Sequence, residues 1–152
     1  MRFTLLLLLL ASTCGRAQNF VPLLTDANLS GWHVQIKGKG VVPANQQNIF
    51  RWKNKQLRVY AQAKNGAPEP FAALISDSLY QDYHLRLEYR WGTGKYPPRA
   101  DFVRDAGIVF HVFDTTQFWA GGIECQFQEG DTGDVWLIGS RAGLTKFSSE
   151  CP

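Results

Sequence analysis

Apolar and polar side chains alternate along most of this chain, in short runs broken by Gly, Pro, Asn and Asp. A period of two puts one set of side chains on each face of a strand. The clearest run is Tyr83 to Trp91, where Tyr83, Leu85, Leu87, Tyr89 and Trp91 alternate with His84, Arg86, Glu88 and Arg90. It predicts a strand that buries its odd-numbered side chains. Trp32, Val34 and Ile36 predict another after a turn-rich segment, and Ile49–Trp52 with Gln56–Tyr60 predict a tight hairpin around Lys53-Asn54-Lys55. Ala72–Ser76 is a short strand, and Ile108–Phe113, apolar on both faces, reads as a central one. No window carries a helical period. The fold class is therefore all-β, a β-sandwich or jelly roll of about nine strands in one domain, residues 18–152. The chain stops at Glu150-Cys151-Pro152 without a closing strand, so the domain is expected to be incomplete at its C-terminus.

Order and chemistry concentrate between Trp119 and Asp134. Ile123, Cys125 and Phe127 alternate with Glu124, Gln126 and Gln128, which predicts an apolar trio facing a core and a polar row on the other face. Gly121 and Gly122 allow a close backbone approach or a bulge, and Glu129 to Asp134 reads as a turn carrying three acids and no cation. A solvent-facing strand would have this pattern too. The nearby Trp119 favours a carbohydrate site, because a sugar needs a face to stack on and groups that exchange hydrogen bonds with its hydroxyls.

Residues 1–17 have the form of a bacterial signal peptide: Arg2, an apolar run from Phe3 to Ala11 too short to span a bilayer, and Gly15-Arg16-Ala17 before the cleavage point. The expected mature chain begins at Gln18 and is secreted or periplasmic. Lipoprotein anchoring at Cys14 is the poorer match. Removing Arg2 and Arg16 leaves 14 basic against 13 acidic residues, a near neutrality that argues against a nucleic-acid partner. No second apolar span follows, so no transmembrane segment is expected in the mature chain. Of the three cysteines, Cys14 leaves with the signal and Cys125 is expected to face inward; a Cys125–Cys151 disulfide is allowed by compartment but not indicated by spacing.

Three motifs are set aside. Lys37-Gly38-Lys39-Gly40 lacks the spacing of a phosphate loop and is read as an exposed turn; Asp131-Thr132-Gly133 has no second copy to complete an aspartic-protease dyad; and Asn28-Leu29-Ser30 carries little meaning as a glycosylation acceptor behind a bacterial signal.

Taken in order, Leu29-Ser30-Gly31-Trp32, the Phe50–Leu57 hairpin, Leu74-Ile75-Ser76-Asp77 with Tyr80-Gln81-Asp82-Tyr83, Leu87-Glu88-Tyr89-Arg90-Trp91, Arg104-Asp105-Ala106-Gly107-Ile108 and Ile123-Glu124-Cys125-Gln126 with Glu129–Asp134 resemble the secreted 3-keto-disaccharide hydrolase family. The resemblance implies a concanavalin A-like jelly roll and an oligosaccharide or glycoside substrate oxidised at C3. Many members carry Asn-Ser-Gly where Asp105-Ala106-Gly107 stands here, and they run on for several more strands. A C3 ketone acidifies the C2 proton, so one base and one enolate stabiliser could expel the C1 aglycone by elimination, with hydration following. A conventional glycosidase needs two flanking carboxyls.

Glu124 is the first candidate base. His111 is the second if it shares the Glu124 face, either as base or, with Glu124, as ligand of a divalent metal ion that polarises the ketone. Otherwise it is a hydrogen-bonded core histidine. Gln126, Arg90, Trp119, Arg104 and Asp105 are the candidate substrate-binding residues; the plainer roles are a surface pair for Arg104 with Asp105, an ion pair with Glu88 for Arg90, and core packing for Trp119. The rival function is a carbohydrate-binding module without catalysis, which a jelly roll supports equally well.

Overall fold

The computed structural model describes residues 19–139, and the chain there is all-β apart from one 3-10 turn. In chain order the strands are β1 (Trp32–Ile36), β2 (Gly40–Pro43), β3 (Phe50–Lys53), β4 (Gln56–Val59), β5 (Ala72–Ser76), β6 (Asp105–Asp114), β7 (Gly121–Gln128) and β8 (Asp131–Ile138). They form three antiparallel groups: β2-β1-β5, the β3-β4 hairpin, and β6-β7-β8. The β-sandwich class expected from the alternation holds. Lys37–Gly40 is the exposed turn between β1 and β2, closed by Lys39 N–H donating to Ile36 O at 3.0 Å. Asn54 and Lys55 form the hairpin turn of β3-β4 with φ of 54° and 58°, the paired positive values of a turn whose twist matches its strands.

The core lies around β1 and the segment before β3, where Leu29, Val34, Ile36, Ala44, Ile49 and Phe50 are buried and Trp32, Trp52 and Leu74 pack against them. Gln47 braces this corner. Its Oε1 accepts from the backbone N–H groups of Ile49 and Phe50 at 2.6 and 2.7 Å, and its Nε2 donates to Ala44 O and Phe50 O at 2.7 and 2.8 Å. Gln47→Leu would leave donors of two buried residues without acceptors, an expected loss of roughly 2 kcal/mol that a urea unfolding midpoint would register.

Two expectations change here. Tyr83–Trp91 forms no ladder with any described strand, and every residue from Tyr83 to Arg90 is exposed. The alternation survives only as a difference in degree: Leu85 and Leu87 are 43% and 44% exposed, whereas the side chains of Arg86 and Glu88 are 70% and 86% exposed. Alternation defines the two faces of a segment but supplies no partner; here contact comes through Tyr89, which stacks on Phe127 at 4.9 Å and shares a 2.7 Å hydrogen bond with Thr132 Oγ1. Second, β6 is an edge of its sheet rather than a centre, with Val112 and Phe113 exposed. Cys125, expected to face inward, is exposed and free, while Phe127, two positions along on the same face of β7, is stacked by Tyr89. Residues 1–17, with the signal peptide and Cys14, lie outside the described residues, as does Cys151.

Candidate active site on the β6-β7-β8 sheet

Register decides which side chains share a face. Glu124 pairs with Val109 on β6 and with Trp136 on β8, and Gln126 pairs with Gly107, so Asp105, Gly107, Glu124, Gln126 and Trp136 stand on one side of the sheet. Ile108, Ile123, Cys125 and Phe127 stand on the other. The polar row is therefore real, and it is linked. Gln126 Nε2 donates to Asp105 Oδ1 at 2.8 Å, and Trp136 Nε1 donates to Gln126 Oε1 at 2.6 Å. A carboxylate only accepts and an indole N–H only donates, so the two partners fix which way the Gln126 amide points.

Glu124 lies across Gly107. A Cβ built on Gly107 would meet the Glu124 carboxyl, with Cγ at 2.6 Å and Cδ at 2.7 Å, so only glycine leaves room for it. Half-buried there, the carboxyl is pushed above its ordinary value of 4.5, first by desolvation and then by the charge of Asp105. It is a carboxylate made more basic by its surroundings, on a strand whose ladder fixes its position. Gly122 lets the neighbouring backbone close in, since a Cβ there would stand 2.8 Å from Val109 Cγ1 and 3.0 Å from Phe110 O.

Below the row lies an ion pair that replaces the expected Arg104–Asp105 one. Because Asp105 pairs with Gln128, Arg104 and Glu129 come next in register. Glu129 N–H donates to Arg104 O at 2.8 Å, Arg104 N–H to Glu129 Oε2 at 3.2 Å, and the guanidinium pairs with the Glu129 carboxylate while its Nη2 reaches Thr93 O at 3.3 Å. Asp105 instead meets Arg99 Nη2 at 3.4 Å. The acidic turn thus has its cation, and the Arg104 backbone N–H followed by its side chain hold Glu129 below the usual carboxylate range. A depressed carboxyl contributes stability above its unfolded pKa and loses it as pH falls through the folded one. Glu129→Gln should lower the unfolding midpoint at neutral pH, with the two curves converging in acid.

The structure brings Glu124, Gln126 and Asp105 together, with Arg104 one position below them. His111 stands apart, in an irregularity of register between Phe110 and Asp114, with φ of 50°, its ring 5.5 Å from that of Phe110 and its side chain exposed rather than in a core. Arg90 is exposed on the 83–91 segment, which joins no strand ladder. Trp119 sits in the loop between β6 and β7, 55% exposed, against Phe71 and Phe118 and with Lys37 Nζ 5.9 Å from its ring centre. Among the described residues no three His, Cys, Asp or Glu side chains gather as a metal site would require.

Trp136 is the residue that sequence reasoning missed. Asp131–Asp134 looks like turn, yet the turn is only Glu129-Gly130, and the extra residue is absorbed in β8, where Gly133 has φ of 118° beside a shift in the β7-β8 register. The continuous apolar run Val135-Trp136-Leu137-Ile138 was the available signal.

The sequence profile of the 3-keto-alpha-glucoside-1,2-lyase-like domain matches residues 19–146. The chain belongs to this family. Comparison with curated proteins and with solved structures gives no match. Membership in the 3-keto-glucoside lyase-like family gives the polar row a carbohydrate-active setting. No helix among the described residues is long and apolar enough to cross a membrane.

Proposed function

We propose that this protein cleaves 3-keto-glycosides by elimination, with Glu124 as the base that removes the C2 proton. The observation carrying this reading is the lodging of Glu124 across Gly107, half-buried and beside Asp105, which raises its basicity while the ladder holds it still. The C2–H bond breaks with its proton passing to the carboxylate, and the electron pair delocalises onto the C3 oxygen. The enolate then reforms the ketone, a C1–C2 double bond appears, and the C1–oxygen bond breaks with the aglycone leaving as an alkoxide that takes up a proton. Water added across that double bond completes net hydrolysis. One negative charge moves from Glu124 to the substrate oxygen in the first step, so proton transfer relieves the repulsion between Glu124 and Asp105. Gln126 Nε2 gives one N–H to Asp105 and keeps the other, a neutral donor suited to an enolate oxygen, while the single Trp136 N–H is spent on Gln126 Oε1 and orients that amide. Trp136, 55% exposed, offers a ring face for stacking.

The test is aglycone release from a 3-keto-glycoside by purified protein, with the unsaturated product followed by NMR. Binding without turnover would establish the carbohydrate-binding module instead. A base acts when deprotonated, and Glu124 is shifted upward, so the rate should rise with pH along a limb lying above 4.5. Asp105→Asn, which removes one upward cause, should move that limb to lower pH. The proposal also places the mature chain, from Gln18, outside the cytoplasm, which intact mass of the exported protein checks.

A further inference from the structure

Away from this sheet, beside the β3-β4 hairpin, lies a hollow of about 320 Å³ lined by Asn48, Ile49, Tyr60, Gln62, Ala63 and Glu69. Its walls are pinned by backbone. Tyr60 N–H donates to Ile49 O at 2.7 Å, Ala63 N–H to Tyr60 O at 3.0 Å, and Glu69 N–H to Pro97 O at 3.0 Å. Tyr60 holds a positive φ of 53°, its hydroxyl donates to Pro70 O, and its ring lies 5.8 Å from that of Tyr96. A tyrosine with that backbone conformation persists only where its surroundings hold it, and such residues concentrate at ligand sites.

The lining chemistry is selective. The lining combines two amides and one carboxylate with a buried Ile49, a half-buried Ala63 and a half-buried Tyr60. Arg51 Nη2 donates to Asn48 Oδ1 at 2.6 Å, which leaves the Asn48 NH₂ as its main offering. Glu69 is the only charged group in the lining, and it is an acceptor. The volume is at the lower end for small-molecule sites and suits a single ring.

From this geometry we infer that the hollow is a binding site for one neutral sugar ring, separate from the Glu124 row. Ring hydroxyls donate to Glu69 and exchange hydrogen bonds with Asn48 and Gln62, and the apolar ring face rests on Ile49, Ala63 and Tyr60. Acidic sugars are excluded, because a second carboxylate would face Glu69 with no lining cation to offset it. The inference does not rest on the elimination chemistry.

Amide NMR titration of the intact protein with methyl glucoside and with glucuronate tests it. Methyl glucoside should shift the Tyr60, Gln62 and Ala63 amides saturably, with a dissociation constant on the order of millimolar for so small a ligand. Glucuronate should not. Glu69→Gln and Gln62→Leu should each weaken binding about tenfold, and Glu124→Gln should leave it unchanged, which separates this site from the proposed active site. Gln62 is exposed, so its variant tests the site even if the Glu69 change disturbs the loop. The inference is overturned if methyl glucoside shifts none of these amides, if glucuronate binds equally well, or if both variants bind as the parent does.

Discussion

Glu124→Gln should lower turnover of a 3-keto-glycoside by about a hundredfold or more while leaving the unfolding midpoint nearly unchanged. The amide keeps the shape of the carboxyl and its place across Gly107, so ladder and packing have no reason to move. What disappears is the lone pair able to accept the C2 proton. Binding should survive, because Gln126, Asp105 and Trp136 retain their mutual hydrogen bonds. The measurement is kcat and KM side by side: a fall confined to kcat marks a base, and a rise confined to KM would make Glu124 a mere binding group. Parental turnover in the variant would remove Glu124 from the mechanism.

Gly107→Ala should produce the second large effect through the same carboxylate without touching its chemistry. The added methyl would occupy the space of the Glu124 Cγ and carboxyl, all side-chain atoms and none of them backbone, so the strand can keep its path while the side chain rotates aside. A displaced base loses alignment with the proton it must take, and a misplacement of about 1 Å can cost on the order of a hundredfold. Activity should fall roughly ten- to a hundredfold with little change in stability. The upward pKa shift should shrink too, because the carboxyl moves toward water. A rate equal to the parent's would show that the lodging of Glu124 across Gly107 is irrelevant to catalysis.

The polar row could be read from sequence because it is a local property: Ile123, Cys125 and Phe127 against Glu124, Gln126 and Gln128 settles which residues share a face. Its partners could not, since the bonds from Gln126 to Asp105 and Trp136 cross strands and depend on register. Trp136 was hidden by Asp131, Thr132 and Gly133, residue types that favour turns but here open a strand. Arg104–Glu129 was more accessible than it looked: once Asp105 faces Gln128, the next pair outward is the ion pair. Tyr83–Trp91 marks the limit in the other direction. Its period is the cleanest in the chain, but period describes a segment's own two faces, and a ladder also needs a neighbour of the right edge and direction. Cys125 shows the same limit at one position: the face was predicted correctly, its covering was not.

Asp105, Gln126 and Trp136 lie on three successive strands as diagonal neighbours, Asp105 opposite Gln128 and Trp136 opposite Glu124, so the spacing of their backbones is set by the ladder's register and not by any of the three side chains. The row therefore works as a ruler with fixed graduations. Exchanging one of these residues changes the mark at that graduation, donor for acceptor or ring for amide, and leaves the intervals intact. Such a surface can be re-addressed from one pattern of hydroxyl groups to another by single substitutions, while the base at Glu124 stays where it is.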